Sequence, residues 1–316
     1  MRRIGGSMVA SILGCNPYQT KHSAWLYLTD QIDGPEDNAA MKRGRVMEEP
    51  VAQTFQSFHD EFEVKKTKYS FENQYIDPVY DFLCSLPDRE ISYAGESEPV
   101  GLLEIKTATI HSKQQWGEEG TADIPLNYYC QGQWYMGMFG LPVCYYPVMF
   151  FNDSIRKTTY SEYVVEYDRE FYEMAREACV KFWTDCVDGK QEPALDELDA
   201  GTEQWIKKSF PCNTSPEEPA TPEEESVIDQ YVEALRTLKD AETKTEKLKA
   251  AIQLLIGNRD GIISLKGKFT WKNNKQSVKT DFKKLVEELD VSKELIAAYT
   301  TITPGPRVFR TPKFNF

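Results

Sequence analysis

Apolar positions change their spacing twice along the chain, and the changes divide it into three stretches. Up to about residue 60 the spacing is helical: Met8, Val9, Ile12 and Leu13 form a short amphipathic stretch, and Met47, Val51, Phe55 and Phe58 a longer one. The segments 62–71, 81–85, 101–107, 143–151 and 158–167 are then rich in Val, Ile, Phe and Tyr. Turn residues such as Asn73, Asp77-Pro78 and Asn152-Asp153 bound them, which predicts strands. Between the strands, Tyr128 to Phe139 predicts a helix, and Phe171, Met174, Ala178 and Phe182 mark one face of another over Arg169 to Val187. The pattern is that of an α/β domain fading near residue 190.

Pro211 to Pro222, centred on Ser215-Pro216-Glu217-Glu218-Pro219, has the composition of an extended linker. Beyond it, Val227, Tyr231, Ala234, Leu238, Ala241, Thr245, Leu248, Ile252 and Leu255 alternate spacings of four and three, and Gly257-Asn258 supplies a stop. This predicts a long helix with a seam, packed either on its own subunit or against another chain. A hairpin is expected over Ile262–Leu265 and Phe269–Trp271, then a short basic helix around Asp281–Leu289. We place a core at 1–210, a linker at 211–222 and a helical and hairpin region at 223–316, consistent with the two domains that 316 residues allow.

The net charge of -13 argues at first sight against a nucleic-acid partner, because lysine and arginine supply most non-specific affinity for phosphate. Its distribution changes the picture. Gln191 to Ser226 holds ten acidic residues against two lysines, whereas Ser264 to Lys284 holds seven lysines against one acid. Such a split can guide DNA to one face, although either run taken alone reads better as a solvated surface. The seven cysteines include no close CxxC pair, and Cys179, Cys186 and Cys212 are too widely spaced for the tight late triplet of an iron–sulfur cluster, so neither zinc knuckle nor cluster is expected. No apolar run approaches a membrane span and the start lacks a signal-peptide stretch, so a cytoplasmic protein without a membrane partner is expected.

The chemistry centres on Pro87-Asp88 and Glu104-Ile105-Lys106. Residues two apart on a strand point to the same face, so Glu104 and Lys106 would project together while Ile105 enters the core. Asp88 brought beside them completes a site of hard oxygen ligands for Mg²⁺ or Mn²⁺, with the Ile105 carbonyl as a further ligand. Lys106 would hold or activate water and stabilise developing charge, with burial and two carboxylates balancing its pKa. Alone, E-x-K on a strand is more often an exposed ion pair. Ser7, after two glycines and before Met8 to Leu13, sits where a helix cap belongs, at an N-terminus suited to phosphate. Lys266, Lys268, Lys272 and Lys275 flank Trp271 on or beside the hairpin, where they could track a DNA backbone while the indole stacks on a base. Trp271 could equally pack on the long helix.

In order along the chain stand Ile4-Gly5-Gly6-Ser7, Gly44-Arg45-Val46-Met47-Glu48, Pro87-Asp88, Glu104-Ile105-Lys106 and Gln131. That series resembles the YqaJ-like viral recombinase and lambda-exonuclease branch of the PD-(D/E)XK nucleases, well over residues 4 to about 140 and loosely over the remaining core. The resemblance implies a restriction-endonuclease-like core with a mixed central sheet flanked by helices. It implies Mg²⁺-dependent digestion of linear duplex DNA from the 5′ strand in phage-type recombination, a single-strand annealing protein as partner, and a ring-like homo-oligomer, most simply a trimer. It also implies a phage or prophage protein of a bacterial host. Glu48 would add a carboxylate near the metal and Gln131 would orient water or phosphate. Ser7 would meet the 5′-phosphate, with Arg2 or Arg3 standing in for an arginine that relatives carry before the GGS step. Met8 and Arg89-Glu90 depart from the family pattern. An endonuclease or nicking enzyme on the same core, and a non-catalytic DNA-binding scaffold, remain as alternatives.

Overall fold

The computed structural model describes residues 2–34, 37–152, 157–195, 198–210, 216–272 and 292. They fall into two compact units, residues 1–210 and 211–316. In the first, strands β1 (Phe62–Lys66), β4 (Arg89–Tyr93), β5 (Pro99–Leu103), β6 (Lys106–Thr109), β7 (Val143–Asn152) and β8 (Lys157–Glu166) form one mixed sheet. The sheet runs β1-β4-β5-β7-β6, and β8 also pairs with β7. β5 and β6 run parallel to β7, while the β1–β4, β4–β5 and β7–β8 pairs are antiparallel. A two-stranded pair, β2 (Tyr75–Ile76) and β3 (Cys84–Ser85), stands apart.

Alternation along β5 sends Leu102 and Leu103 into different apolar layers. The larger layer holds Leu102, Cys144, Tyr146 and Val148 from the sheet with α1 (Gly6–Ile12), α2 (Lys21–Leu28), α4 (Leu126–Phe139) and α5 (Arg169–Phe182). On the other face, Val51, Ala52 and Phe55 of α3 (Ala39–Phe58) pack against Ile91, Leu103 and Ile105. The result is a mixed central sheet flanked by helices, the restriction-endonuclease-like architecture expected from the sequence. Phe55 is fully buried, and its loss to alanine would cost about 3–5 kcal/mol.

Several elements differ from the sequence expectation. Segment 62–71 pairs only through Lys66, and β4 was hidden because Arg89, Glu90 and Ser92 break its apolar pattern. Segment 101–107 divides at Glu104-Ile105, yet Leu103 pairs with Tyr145 and Lys106 with Val148, so the register does not slip. The interruption has a chemical cause: the Ile105 N–H donates to Asp88 Oδ2 at 2.8 Å. Past the point where the apolar pattern fades, α6 (Ala200–Ser209) joins the unit through Asp199, whose carboxylate accepts from the Thr20 N–H and the Ser23 hydroxyl. Ser7 does not cap α1. Gly5 holds the cap position with no side-chain bond, and Ser7 is exposed in the first turn.

In the second unit, α7 (Pro222–Ile256) opens with Thr221 and Glu224 bonded reciprocally across the cap and ends at Gly257, whose φ is 55°. Val227, Leu238, Leu248 and Leu255 along its seam are exposed. A hairpin of β9 (Gly261–Ser264) and β10 (Gly267–Thr270) follows. Lys275 and the basic helix expected at 281–289 lie outside the described residues. Among the described residues, no helix is long and apolar enough to cross a membrane.

Candidate active site

Asp88, Glu104, Ile105, Lys106, Glu48, Gly44 and Gln131 line a single open cleft of about 360 Å³. Four segments bring them together: the turn from β3 into β4, the β5–β6 line, a turn of α3 and a turn of α4. Glu104 is buried, and its two oxygens are spoken for, one accepting from the Asp88 N–H at 3.2 Å and the other from Lys106 Nζ at 2.9 Å. Asp88 Oδ2 in turn accepts from the Ile105 N–H. The aspartate turn and the E-x-K strand therefore hold each other by reciprocal carboxylate-to-backbone bonds.

Lys106 has three partners. Its ammonium donates to Glu104 and, at 2.9 Å, to Gln131 Oε1, and it lies 4.9 Å from the centre of the Tyr128 ring. Gln131 passes its own amide N–H to the Tyr135 hydroxyl at 3.2 Å, so in this structure it positions the lysine. Tyr135 forms the surface on which Gly6 rests. A Cβ on Gly6 would sit 2.5 Å from that ring, so the second glycine of the GGS step is needed for α1 to approach α4. Tyr128 and Tyr135 escaped the sequence reading. Their spacing of three before and four after Gln131, one face of a helix, was the available signal.

Burial first, and then the charge of Asp88, push the Glu104 carboxyl up to about 7, with Lys106 pulling the other way. For Lys106 burial alone would lower the pKa, but Glu104 and then Asp88 overcome it and hold the ammonium above the ordinary lysine value. The Glu104 carboxylate faces the ammonium at 2.9 Å, an arrangement that favours a fixed cation at this position. Glu48 is half-buried and raised by burial and then by Asp88. Neighbouring Glu49 points elsewhere, to Arg89 Nη2 at 3.1 Å and Lys66 at 3.5 Å, which separates the roles of the two adjacent acids. Arg89 also donates to the Asp88 carbonyl at 2.7 Å and so braces the turn.

Among the described residues, no three Asp, Glu, His or Cys side chains stand close enough to hold a metal ion by themselves. Mg²⁺ does not require such a cage, since it keeps several waters and is commonly held by one or two carboxylates plus substrate phosphate. The donor set fits that mode: Asp88 and Glu104 crowd their negative charges together in a partly buried cleft, which raises Glu104 and which a divalent cation would relieve.

The remaining candidates are dispersed. Arg2 is tied to the carbonyls of Tyr27 and Ile32 and to Asp30, and Arg3 Nε donates to the Asp81 carbonyl at 2.8 Å. In the second unit Lys266, Lys268 and Trp271 are exposed, and Lys272 pairs with Asp260 at 2.6 Å.

The sheet, the aspartate turn and the E-x-K strand with its glutamine helix define a restriction-endonuclease-like core. Residues 1–142 match the family model of the YqaJ-like viral recombinase domain. Along 210 residues the chain is 32% identical to the uncharacterized protein YqaJ of Bacillus subtilis (strain 168), a match taking in 66% of this chain and 60% of that relative's length. Among solved structures it is similar to the alkaline exonuclease LHK-Exo of Laribacter hongkongensis, at 16% identity and TM-score 0.43, over 66% of this chain and 95% of that one. A phage-related exonuclease from Haemophilus somnus 129PT is similar at 14% identity and TM-score 0.43, over 60% and 96% respectively.

Proposed function

We propose that the protein is a divalent-metal-dependent deoxyribonuclease that digests linear duplex DNA from 5′ ends in phage-type recombination. The observation that carries this reading is the convergence of Asp88, Glu104 and Lys106 in one cleft with Glu48 at its edge. Asp88, Glu104 and the Ile105 carbonyl would hold Mg²⁺ or Mn²⁺, with Glu48 as a further carboxylate. The ion supplies charge neutralisation at the phosphoryl oxygens and a more acidic water. Lys106, held by Gln131 and Tyr128, presents a fixed positive charge to the oxygen that gains charge as the phosphodiester breaks. Ser7, exposed at the start of α1, is the group for a 5′-phosphate, with Arg3 nearby in sequence. Lys266, Lys268, Lys272 and Lys275 with Trp271 form a second DNA contact. A single-strand annealing protein is the partner that resected DNA requires, and a cyclic homotrimer would keep duplex enclosed.

End-labelled linear duplex, with and without a 5′-phosphate, is incubated with Mg²⁺, Mn²⁺ or EDTA beside covalently closed circles. Metal-dependent loss of the 5′ label, with circles intact, is expected. Cutting of closed circles would turn the reading to an endonuclease, and no cleavage with either metal would remove it. Light scattering with and without DNA tests the ring, which a strictly monomeric yet processive enzyme would exclude.

A further inference from the structure

Past Thr107 and Tyr128 the catalytic cleft adjoins a second groove of about 480 Å³, and both residues line both spaces. Trp116 lies buried in its wall, 5.5 Å from Tyr128 between ring centres, and Tyr18 on the rim is 74% exposed. Thr109, Ser112 and Asn127 add hydrogen-bonding groups. Of these residues only Tyr128, which faces Lys106, enters the chemistry assigned above.

Arg43 on α3 supplies the groove's cation. It lies over the Phe151 ring at 5.0 Å, and among the described residues its buried Nε finds no acceptor and no carboxylate pairs with it. Its neighbours in the fold behave differently: Arg45 pairs with Asp37 at 2.5 Å and Arg89 with Glu49 at 3.1 Å. A buried N–H without an acceptor is costly, so such a group calls for an acceptor that arrives with a ligand. A guanidinium beside a polar, aromatic groove matches a phosphodiester with its base: the planar fork bonds two phosphate oxygens, and an exposed phenol ring offers a stacking face.

We infer that this groove is a nucleotide subsite for the DNA strand being cut, in which Arg43 positions the phosphate adjacent to the scissile one and Tyr18 stacks on its base. The inference rests on the nuclease reading for the direction of the strand, through the walls that the two spaces share. Arg43 acts as a positioning residue: it fixes where the strand lies and leaves the reacting atoms to Lys106 and the carboxylates.

The test uses a fluorescein-labelled single-stranded oligodeoxynucleotide, titrated by anisotropy against the full chain in EDTA over a series of salt concentrations, so that no cleavage is required. Arg43→Ala should weaken binding on the order of tenfold and lower the salt slope by about one phosphate contact, a change that a purely structural role would not produce. Arg43→Lys should keep the slope and recover part of the affinity, since it keeps the charge and loses the fork. Tyr18→Ala should weaken binding severalfold with the slope unchanged. In steady-state digestion, Arg43→Ala should raise KM more than it lowers kcat. Thermal melting checks each variant, and Arg43→Gln carries the same test should Arg43→Ala fail to fold. Wild-type affinity and slope in a folded Arg43 variant overturn the subsite, as does absence of oligonucleotide binding by the unmodified chain. A chain that binds the oligonucleotide with the predicted Arg43 dependence but never cuts duplex sinks the nuclease reading and leaves the subsite standing.

Discussion

Glu104 and Lys106 meet at 2.9 Å with 1% and 13% of their side chains exposed, whereas Glu246 and Lys249 on α7 meet at 3.1 Å with 69% and 61% exposed. The residue types and the distance are nearly the same, and the physics is not. In water the α7 pair gains little over its hydrated, separated ions. In the first unit both charges are removed from solvent, so each becomes costly without the other, and Asp88 adds a second negative charge that raises Glu104. A fold selected for stability alone would do better with apolar side chains at 104 and 106. On the nuclease reading proposed above, the buried pair is a cost accepted for chemistry, whereas the α7 pair is surface.

The sharpest way to break that contrast is to separate function from stability at the buried pair. Lys106→Met should reduce cleavage of linear duplex by about 10³-fold or more, because the fixed cation at the reacting phosphate is gone. It should also destabilise the chain by roughly 3 kcal/mol, since Glu104 loses its counter-charge while remaining buried. Adding Glu104→Gln to Lys106→Met should restore stability to the wild-type level or above it, while cleavage stays lost. Denaturant unfolding of both variants beside a single-turnover digestion gives the answer. A double variant less stable than Lys106→Met would show that the pair supports the fold and would remove the contrast.

How far the two regions could be read from sequence follows the same division. The E-x-K strand, the aspartate before it and the glutamine helix after it were legible because their spacing is local and their residue types are scarce in apolar segments. What the sequence hid were the relations that cross segments: the Asp88 carboxylate interrupting the strand at Ile105, Gln131 serving Lys106, and Arg89 bridging to Glu49. The β4 strand was missed because three of its five residues are polar, including Arg89, which is almost fully buried and has its charge met from another element. On α7 the reverse held. The heptad-like spacing announced a helix plainly, yet spacing alone said nothing of what covers the seam, and in the single chain its larger side chains are exposed.

A buried ion pair with one member nearer the surface should fall between the extremes. Asp77, 5% exposed, accepts from Arg176 at 3.0 Å, with the arginine 29% exposed, and the pair ties the β2–β3 turn to α5. Burial alone would raise the Asp77 carboxyl, but the N–H groups of Tyr80 and Val79, with Arg176, outweigh it and hold the pKa below its usual value. A carboxyl depressed in the folded state contributes stability that is fully present above its unfolded pKa, near 3.9, and is lost as pH falls through the folded value. Asp77→Asn should therefore cost about 2–3 kcal/mol at pH 7, and the gap to wild type should close as pH is lowered below about 4. Urea unfolding at several pH values reads both quantities. A gap that persists unchanged at pH 3 would mean that packing around the turn, and not the charge, is what Asp77 provides.

The smallest effect belongs to α7. Glu246 and Lys249 lie three residues apart on an exposed face, where the attraction is screened and ordering two long side chains offsets most of the gain. Lys249→Ala removes the pair and substitutes the residue with the highest helix propensity, so the two contributions oppose each other. The expected change in stability is below about 0.5 kcal/mol in either direction, with no dependence on salt beyond a few tenths between low and moderate ionic strength. Thermal unfolding of the full chain followed at a helix-sensitive wavelength, at two salt concentrations, measures it. A loss of 2 kcal/mol or more would show that this face of α7 is covered in solution, which would make Lys249 a partly buried charge like Lys106 and erase the difference between the two regions.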